Sequence, residues 1–129
     1  MRELIEMALE DYSDRERGII RFFIRCGSCR EVWNSEPVRF TKARVPPENE
    51  NKRIVYDAMW KREWELARLL AIDKAVASFN LCPICHKLTC EKCFLICDTI
   101  DMCADCALRL GEYGKPVNPV DHFEKGGGR

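Results

Sequence analysis

The chain of 129 residues has no run of the roughly 18 apolar residues that a bilayer-crossing helix needs, so no helical membrane span and no membrane partner are expected. Its first segment, MRELIEMALEDYSDRERG, lacks the apolar stretch of a secretory signal and carries six acidic residues, which argues against a transit peptide. A cytoplasmic location is the expectation, or a nuclear one in a eukaryotic source. Histidine is scarce, with two in the chain, and there is no phosphate-cradling glycine loop and no Ser/His/Asp or Cys/His constellation. Little acid–base machinery is therefore available near neutral pH, no catalytic residue is assigned, and a non-enzymatic role is expected. Charge of one sign is also missing, since 21 lysines plus arginines match 21 aspartates plus glutamates. Phosphate-backbone binding draws on concentrated positive charge, which this balance does not supply.

What remains is an ordinary soluble composition, 47% hydrophobic and 33% charged, with Trp33, Trp60 and Trp64 to pack. The length suits one domain, and two of ordinary size would not fit. Cysteine is the residue in excess. Nine occur, and seven of them fall between Cys82 and Cys106, in CPICHKLTCEKCFLICDTIDMCADC. An oxidised secreted scaffold is disfavoured by the odd count, the missing signal and the repeated two-residue spacing. Eight cysteines form four Cys-x-x-Cys pairs: Cys26/Cys29, Cys82/Cys85, Cys90/Cys93 and Cys103/Cys106. Two sulfurs at this spacing supply half of a tetrahedral site, so four pairs predict two structural zinc ions. Ligation strips the thiol protons, and eight thiolates with two divalent ions bring the neutral sum to about −4.

Along the chain, residues 1–18 read as an amphipathic helix (Leu4, Ile5, Ala8, Leu9, Tyr12) and a turn that ends at Gly18. The helix stripe either packs on the core or docks a partner. Residues 19–45 read as a hairpin carrying the first zinc knuckle. Ile19 to Arg25 forms a strand into Cys26-Gly27-Ser28-Cys29, where glycine is expected to supply an unusual backbone angle. Glu31-Val32-Trp33 returns, and Val38 to Val45 forms a further strand before Pro46-Pro47. Residues 49–80 read as the longest helix, with an acidic, asparagine-containing start. One apolar row runs through Ile54, Val55, Ala58, Met59, Leu66, Leu69, Leu70, Asp73 and Val76, and a second through Trp60, Trp64, Ala67, Ala71 and Ala75. The tryptophan row is either core or an exposed patch. Residues 82–114 form the cysteine-rich lobe, ending in a short helix from Ala104 to Tyr113, and residues 115–129 a tail whose end, Glu124 to Arg129, has nothing to bury.

The wiring has two solutions on spacing alone. Sequential wiring joins Cys26, Cys29, Cys82 and Cys85 on one ion, with Cys90, Cys93, Cys103 and Cys106 on the other. Interleaved wiring alternates the pairs. The run from Cys82 to about Tyr113, with the Cys26/Cys29 pair, resembles a treble-clef finger in a cross-brace double-zinc domain of FYVE or RING type. That resemblance implies Cys26, Cys29, Cys90 and Cys93 as site one and Cys82, Cys85, Cys103 and Cys106 as site two. The chain departs from both families. Ala77-Ser78-Phe79-Asn80-Leu81 stands where FYVE domains carry a basic, histidine-rich run, and the Cys-x-His of RING domains is absent. The expected fold is α+β: a small zinc-stabilised domain with an N-terminal β-hairpin, one long central helix and a C-terminal treble-clef-like finger. Cys97 is expected to be a small buried residue and His86 a surface or outer-sphere residue, while His122 has no chemistry nearby. The function expected is a non-catalytic protein–protein interaction or assembly module. The alternatives are a nucleic-acid-binding zinc protein, drawing on Arg21, Arg25, Arg30, Arg39, Lys42 and Arg44, and a RING-like ubiquitin-ligase module.

Overall fold

The computed structural model describes residues 1–118; the readings of His122 and of the tail beyond residue 118 lie outside the described residues. Among the described residues the fold is α+β, with three helices, N-terminal strands and one long central helix. No helix among them is long and apolar enough to cross a membrane.

Helix α1 covers Arg2–Ala8, shorter than the periodicity suggested, because the chain turns extended at Leu9 and enters strand β1, Glu10–Asp11. The single expected strand from Ile19 to Arg25 is broken at Arg21 into β2 (Ile19–Ile20) and β3 (Phe22–Arg25). The two pieces take different neighbours. Strand β3 lies between β1 and β4 (Val32–Asn34), with Ile24 opposite Trp33, while β2 pairs with β5 (Val38–Arg39). The further strand expected to Val45 stops at Arg39. Phe40 turns into the core, where it is 1% exposed, and Ala43 and Val45 donate to the carbonyls of Phe40 and Lys42 in tight turns. Gly18 meets this turn at a positive φ of 70°, where an added Cβ would fall 2.2 Å from that of Ala43. No other residue fits there.

Helix α2 runs over Glu50–Ser78, 29 residues or about 43 Å. The Asn49 side chain caps it by accepting from the Lys52 amide at 3.0 Å. Its buried face is the second row of the sequence pattern. Ala67, Ala71 and Ala75 with Ile72 are buried, and Ile5 of α1 with Phe22 and Ile24 of β3 pack against them. The tryptophans are half-buried at the margin of this face: Trp64 sits edge-on to Phe22 at 5.6 Å and Trp60 edge-on to Phe40 at 5.2 Å. The Trp64 indole N–H donates to Asp11 at 3.2 Å. Most of the first row faces outward, with Ile54, Val55, Leu66, Leu69 and Leu70 exposed, while Met59 is half-buried and Val76 packs on the cluster around Ile72. Sequence spacing found both rows but gives no sign of which one packs.

The C-terminal lobe holds β6 (Phe79–Leu81), β7 (Leu88–Cys90), β8 (Phe94–Cys97), β9 (Met102–Cys103), helix α3 (Ala104–Leu110) and β10 (Gly114–Pro116). Strand β6 continues directly from α2 and pairs with β7, Phe79 opposite Cys90, while β8 lies between β10 and β9. Gly111 ends α3 in the left-handed region at φ 72°. The chain beyond it was expected only to leave the helix, but Gly114–Pro116 returns as a strand on β8.

Candidate metal centres

Two hairpin turns of the same design present the first cysteine pairs. In the first, the Cys26 amide donates to the Glu31 carbonyl at 2.9 Å and the Arg30 amide returns to the Cys26 carbonyl at 3.1 Å. In the second, Cys82 donates to Lys87 at 3.0 Å and His86 returns to Cys82 at 2.8 Å. Arg30 and His86, each directly after a pair, hold the left-handed angle at φ 68° and 63°. His86 thus serves the turn and stands outside both sulfur clusters. Gly27 does not take the unusual angle expected of it. It is required for closeness: its amide donates to the Leu88 carbonyl at 2.8 Å, and a Cβ there would meet that oxygen at 3.0 Å.

The other pairs come from the edges of the C-terminal lobe. Cys90 ends β7, Cys93 precedes β8, and Cys103 caps α3 by accepting from the Cys106 amide at 3.4 Å. The fold brings Cys26, Cys29, Cys90 and Cys93 together, and separately Cys82, Cys85, Cys103 and Cys106, with the sulfurs of each group all within 4.8 Å of one another. The pairs therefore interleave, and the sequential grouping does not form. Sulfur separations across the pairs include 3.9 Å for Cys29–Cys90, 3.9 Å for Cys82–Cys106 and 3.7 Å for Cys85–Cys103. Sulfurs on a tetrahedral zinc at the usual Zn–S distance stand about 3.8 Å apart, while a disulfide requires about 2.0 Å. All nine cysteines are unpaired.

Donor chemistry fits the same ion. Cys26 Sγ accepts from the amides of Ser28 at 3.3 Å, Cys29 at 3.4 Å and Cys90 at 3.3 Å. Cys82 Sγ accepts from Cys103 at 3.4 Å, and the Arg109 guanidinium donates to Cys106 Sγ at 3.6 Å. These donors stabilise thiolate. A hydrogen bond from the Cys90 thiol, helped by these amides, lowers Cys26 to about 4. Burial works against ionisation of Cys82, but the amides of Cys103, Cys85 and Ile84 outweigh it and lower the thiol to about 6. The neighbours go the other way. Cys90 is pushed far up by the thiolate it donates to, burial raises Cys93 to about 11 and Cys103 to about 12, and burial raises Cys106 as well. Without a cation, four such sulfurs cannot all ionise. The two groups of four cysteines fit two structural zinc ions.

Residues between the pairs join the two centres. Ser28 Oγ donates to the Asp105 carboxylate at 2.9 Å, and Lys87 Nζ donates to the same oxygen at 2.8 Å. The Lys87 ammonium and the Ser28 hydroxyl hold Asp105 below the usual carboxylate range. The Ala104 amide donates to the Cys93 carbonyl at 2.8 Å. Sequence reasoning passed over Ser28, Lys87, Asp105 and Arg109. The one available signal was an acidic residue in the first turn of α3, and nothing in the sequence says that it reaches residue 28.

Cys97 joins neither cluster. Burial first, then the carboxylates of Glu112, Asp101 and Asp98, raises its thiol. Its sulfur lies where a Cβ on Gly114 would approach to 2.7 Å, so the Cys97–Gly114 pair fits β10 against β8. Of the basic residues in the first half, Arg21 lies 4.4 Å over the Tyr12 ring and Arg25 5.7 Å over the Phe23 ring. The chain matches no family model, no curated protein and no solved structure in comparisons with each.

Proposed function

We propose that the protein is a non-catalytic module for protein–protein contact, folded around two structural zinc ions. The observation that carries this reading is the outer face of α2, where Val55, Leu66 and Leu69 are 56%, 58% and 49% exposed on the longest rigid element of the chain. Large apolar side chains gathered on one face mark contact surfaces. The chemistry of the centres supports the same reading. Four sulfurs fill a tetrahedral ion and leave no position for substrate, whereas catalytic zinc keeps one open.

The test is affinity capture from the native source with the zinc-loaded chain, with the chain after chelation, and with Leu66→Glu. A protein held by the first and lost by the other two is the expected result. Equal capture by all three overturns the reading. So does tight binding of labelled DNA or RNA with a steep salt dependence, or discharge of a ubiquitin-charged conjugating enzyme.

A further inference from the structure

The outer face of α2 has an order that its exposure alone does not explain. Val55, Met59, Arg62, Leu66, Leu69 and Asp73 follow one another at alternating steps of four and three residues, the spacing of a seam between two helices. The seam points away from the Ala67–Ala71–Ala75 face that packs on the protein's own core. Leu70 widens it on one flank, 53% exposed. Two charges interrupt the apolar row, placed symmetrically about the Leu66/Leu69 centre and opposite in sign. Arg62 is exposed and has no ion-pair partner among the described residues. Asp73 meets Arg2 at 2.7 Å, yet its side chain remains 61% exposed.

A row of this order complements itself in one direction only. Laid antiparallel on a second copy, Leu66 of each chain covers Leu69 of the other, and Arg62 of each faces Asp73 of the other, twice over. A parallel pairing sets Arg62 beside Arg62 and Asp73 beside Asp73, and both contacts repel. A two-fold contact demands a patch that reads the same from either side, and an unrelated partner places no such demand on this chain. The shared stretch from Met59 to Val76 is about 27 Å long. We propose that two copies of the protein pair through antiparallel α2 helices, with Leu66 and Leu69 at the centre and an Arg62–Asp73 pair on each side.

This assignment rests on the contact reading above and names its partner, and the experiment separates the two. Sedimentation velocity on the zinc-loaded full chain, over about 1–500 µM, is expected to show a monomer–dimer equilibrium. Arg62→Asp and Asp73→Arg each convert two attractive contacts into two repulsive ones and should raise the dimer Kd by at least about tenfold. Mixed in equal amounts, the two variants should recover dimer, because one chain then carries acid at both positions and the other carries arginine at both, so each facing pair is again opposite in sign. Zinc content and helical signal report that each variant is folded. Since Asp73 also holds Arg2, Leu66→Glu is run beside it and should be monomeric. A wild-type chain that stays monomeric overturns the proposal, as does a dimer that neither charge change nor Leu66→Glu weakens. If that monomer still captures a protein that Leu66→Glu loses, self-pairing fails and the contact reading stands; if it captures nothing, both fail.

Discussion

The two metal centres use the same ligands and the same turn, yet they stand in different surroundings. Site two is local. Cys82 and Cys106 are 24 residues apart, and the cluster around them buries only Phe94, Met102 and Ala107 besides cysteine. Site one is long-range. Cys29 and Cys90 are 61 residues apart, and their cluster also buries Ile5, Ile24, Ile72, Ala75 and Phe79. Fully burying one such isoleucine or phenylalanine side chain is worth about 1.5–3 kcal/mol. The difference teaches what each ion does. In site two the metal stands in for a core too small to hold its own strands. In site one it fastens a hairpin to a core that α1, β3 and α2 already make.

The sharpest way to break this comparison is to remove one sulfur from each centre. Structural zinc contributes about 10–16 kcal/mol in small peptides, as large as the roughly 5–15 kcal/mol that holds a typical domain together. Cys82→Ser should lower zinc from two ions to one and strip amide-exchange protection from residues 82–116, while α2 stays protected. Cys93→Ser should also cost one ion, but with protection lost only around residues 26–30 and 88–93, because the apolar cluster keeps α1, β3 and α2 together. Metal analysis by mass spectrometry with hydrogen exchange reads both. Equal loss of protection across the whole chain in the two variants would show that the cores are not independent of their ions.

A change in the other half sharpens the comparison from the opposite side. Phe40 is the largest fully buried side chain among the described residues, set edge-on to Tyr56 and Trp60, both at 5.2 Å. Phe40→Ala leaves a cavity under the N-terminal third of α2 and should cost about 3–5 kcal/mol. Both ions should remain bound, since Phe40 touches neither cluster. Thermal unfolding with parallel zinc analysis checks this. Release of zinc from the folded variant would mean that the α2 start and the centres share one cooperative unit.

Much of the site was legible because its chemistry is written in spacing. Four Cys-x-x-Cys pairs are a local pattern, and so is the helix that Asn49 caps and that no proline or glycine interrupts from Glu50 to Ser78. Spacing alone left two wirings open, and only the cross-brace resemblance chose between them. Long-range information was harder to read. The break at Arg21 depends on β2 and β3 having different partners, and the stop at Arg39 depends on Phe40 finding Tyr56 and Trp60 on the helix. The two rows of α2 have similar periodicity. The buried one is the row of small residues, against which Ile5, Phe22 and Ile24 pack, and apolarity by itself favours the wrong row. Asp105 was invisible for the same reason, since its partner Ser28 is 77 residues away.

The smallest effect tests whether the two centres, so different in surroundings, act on one another. Asp105 on α3 receives Ser28 from the turn of site one and Lys87 from the turn of site two through a single oxygen. The Lys87–Asp105 pair is exposed, at 38% and 57%, so solvent screens it and it should contribute about 0.2–1 kcal/mol. The Ser28 hydroxyl bonds a charged acceptor, in a class worth about 1.5–3 kcal/mol when sheltered and less at this exposed position. Asp105→Asn keeps an acceptor for Ser28 and removes the charge, so it should destabilise by no more than about 1 kcal/mol, with the difference from wild type shrinking in high salt. The amide contacts Gly27–Leu88 and Ala104–Cys93, both at 2.8 Å, survive any side-chain change and limit the effect. A double-mutant cycle of Asp105→Ala with Ser28→Ala, each of which removes the Ser28–Asp105 bond, isolates the contact that crosses between the centres. A coupling energy near zero, with chelator-driven zinc release from the two sites unchanged in every variant, would leave the backbone contacts as the only link between them.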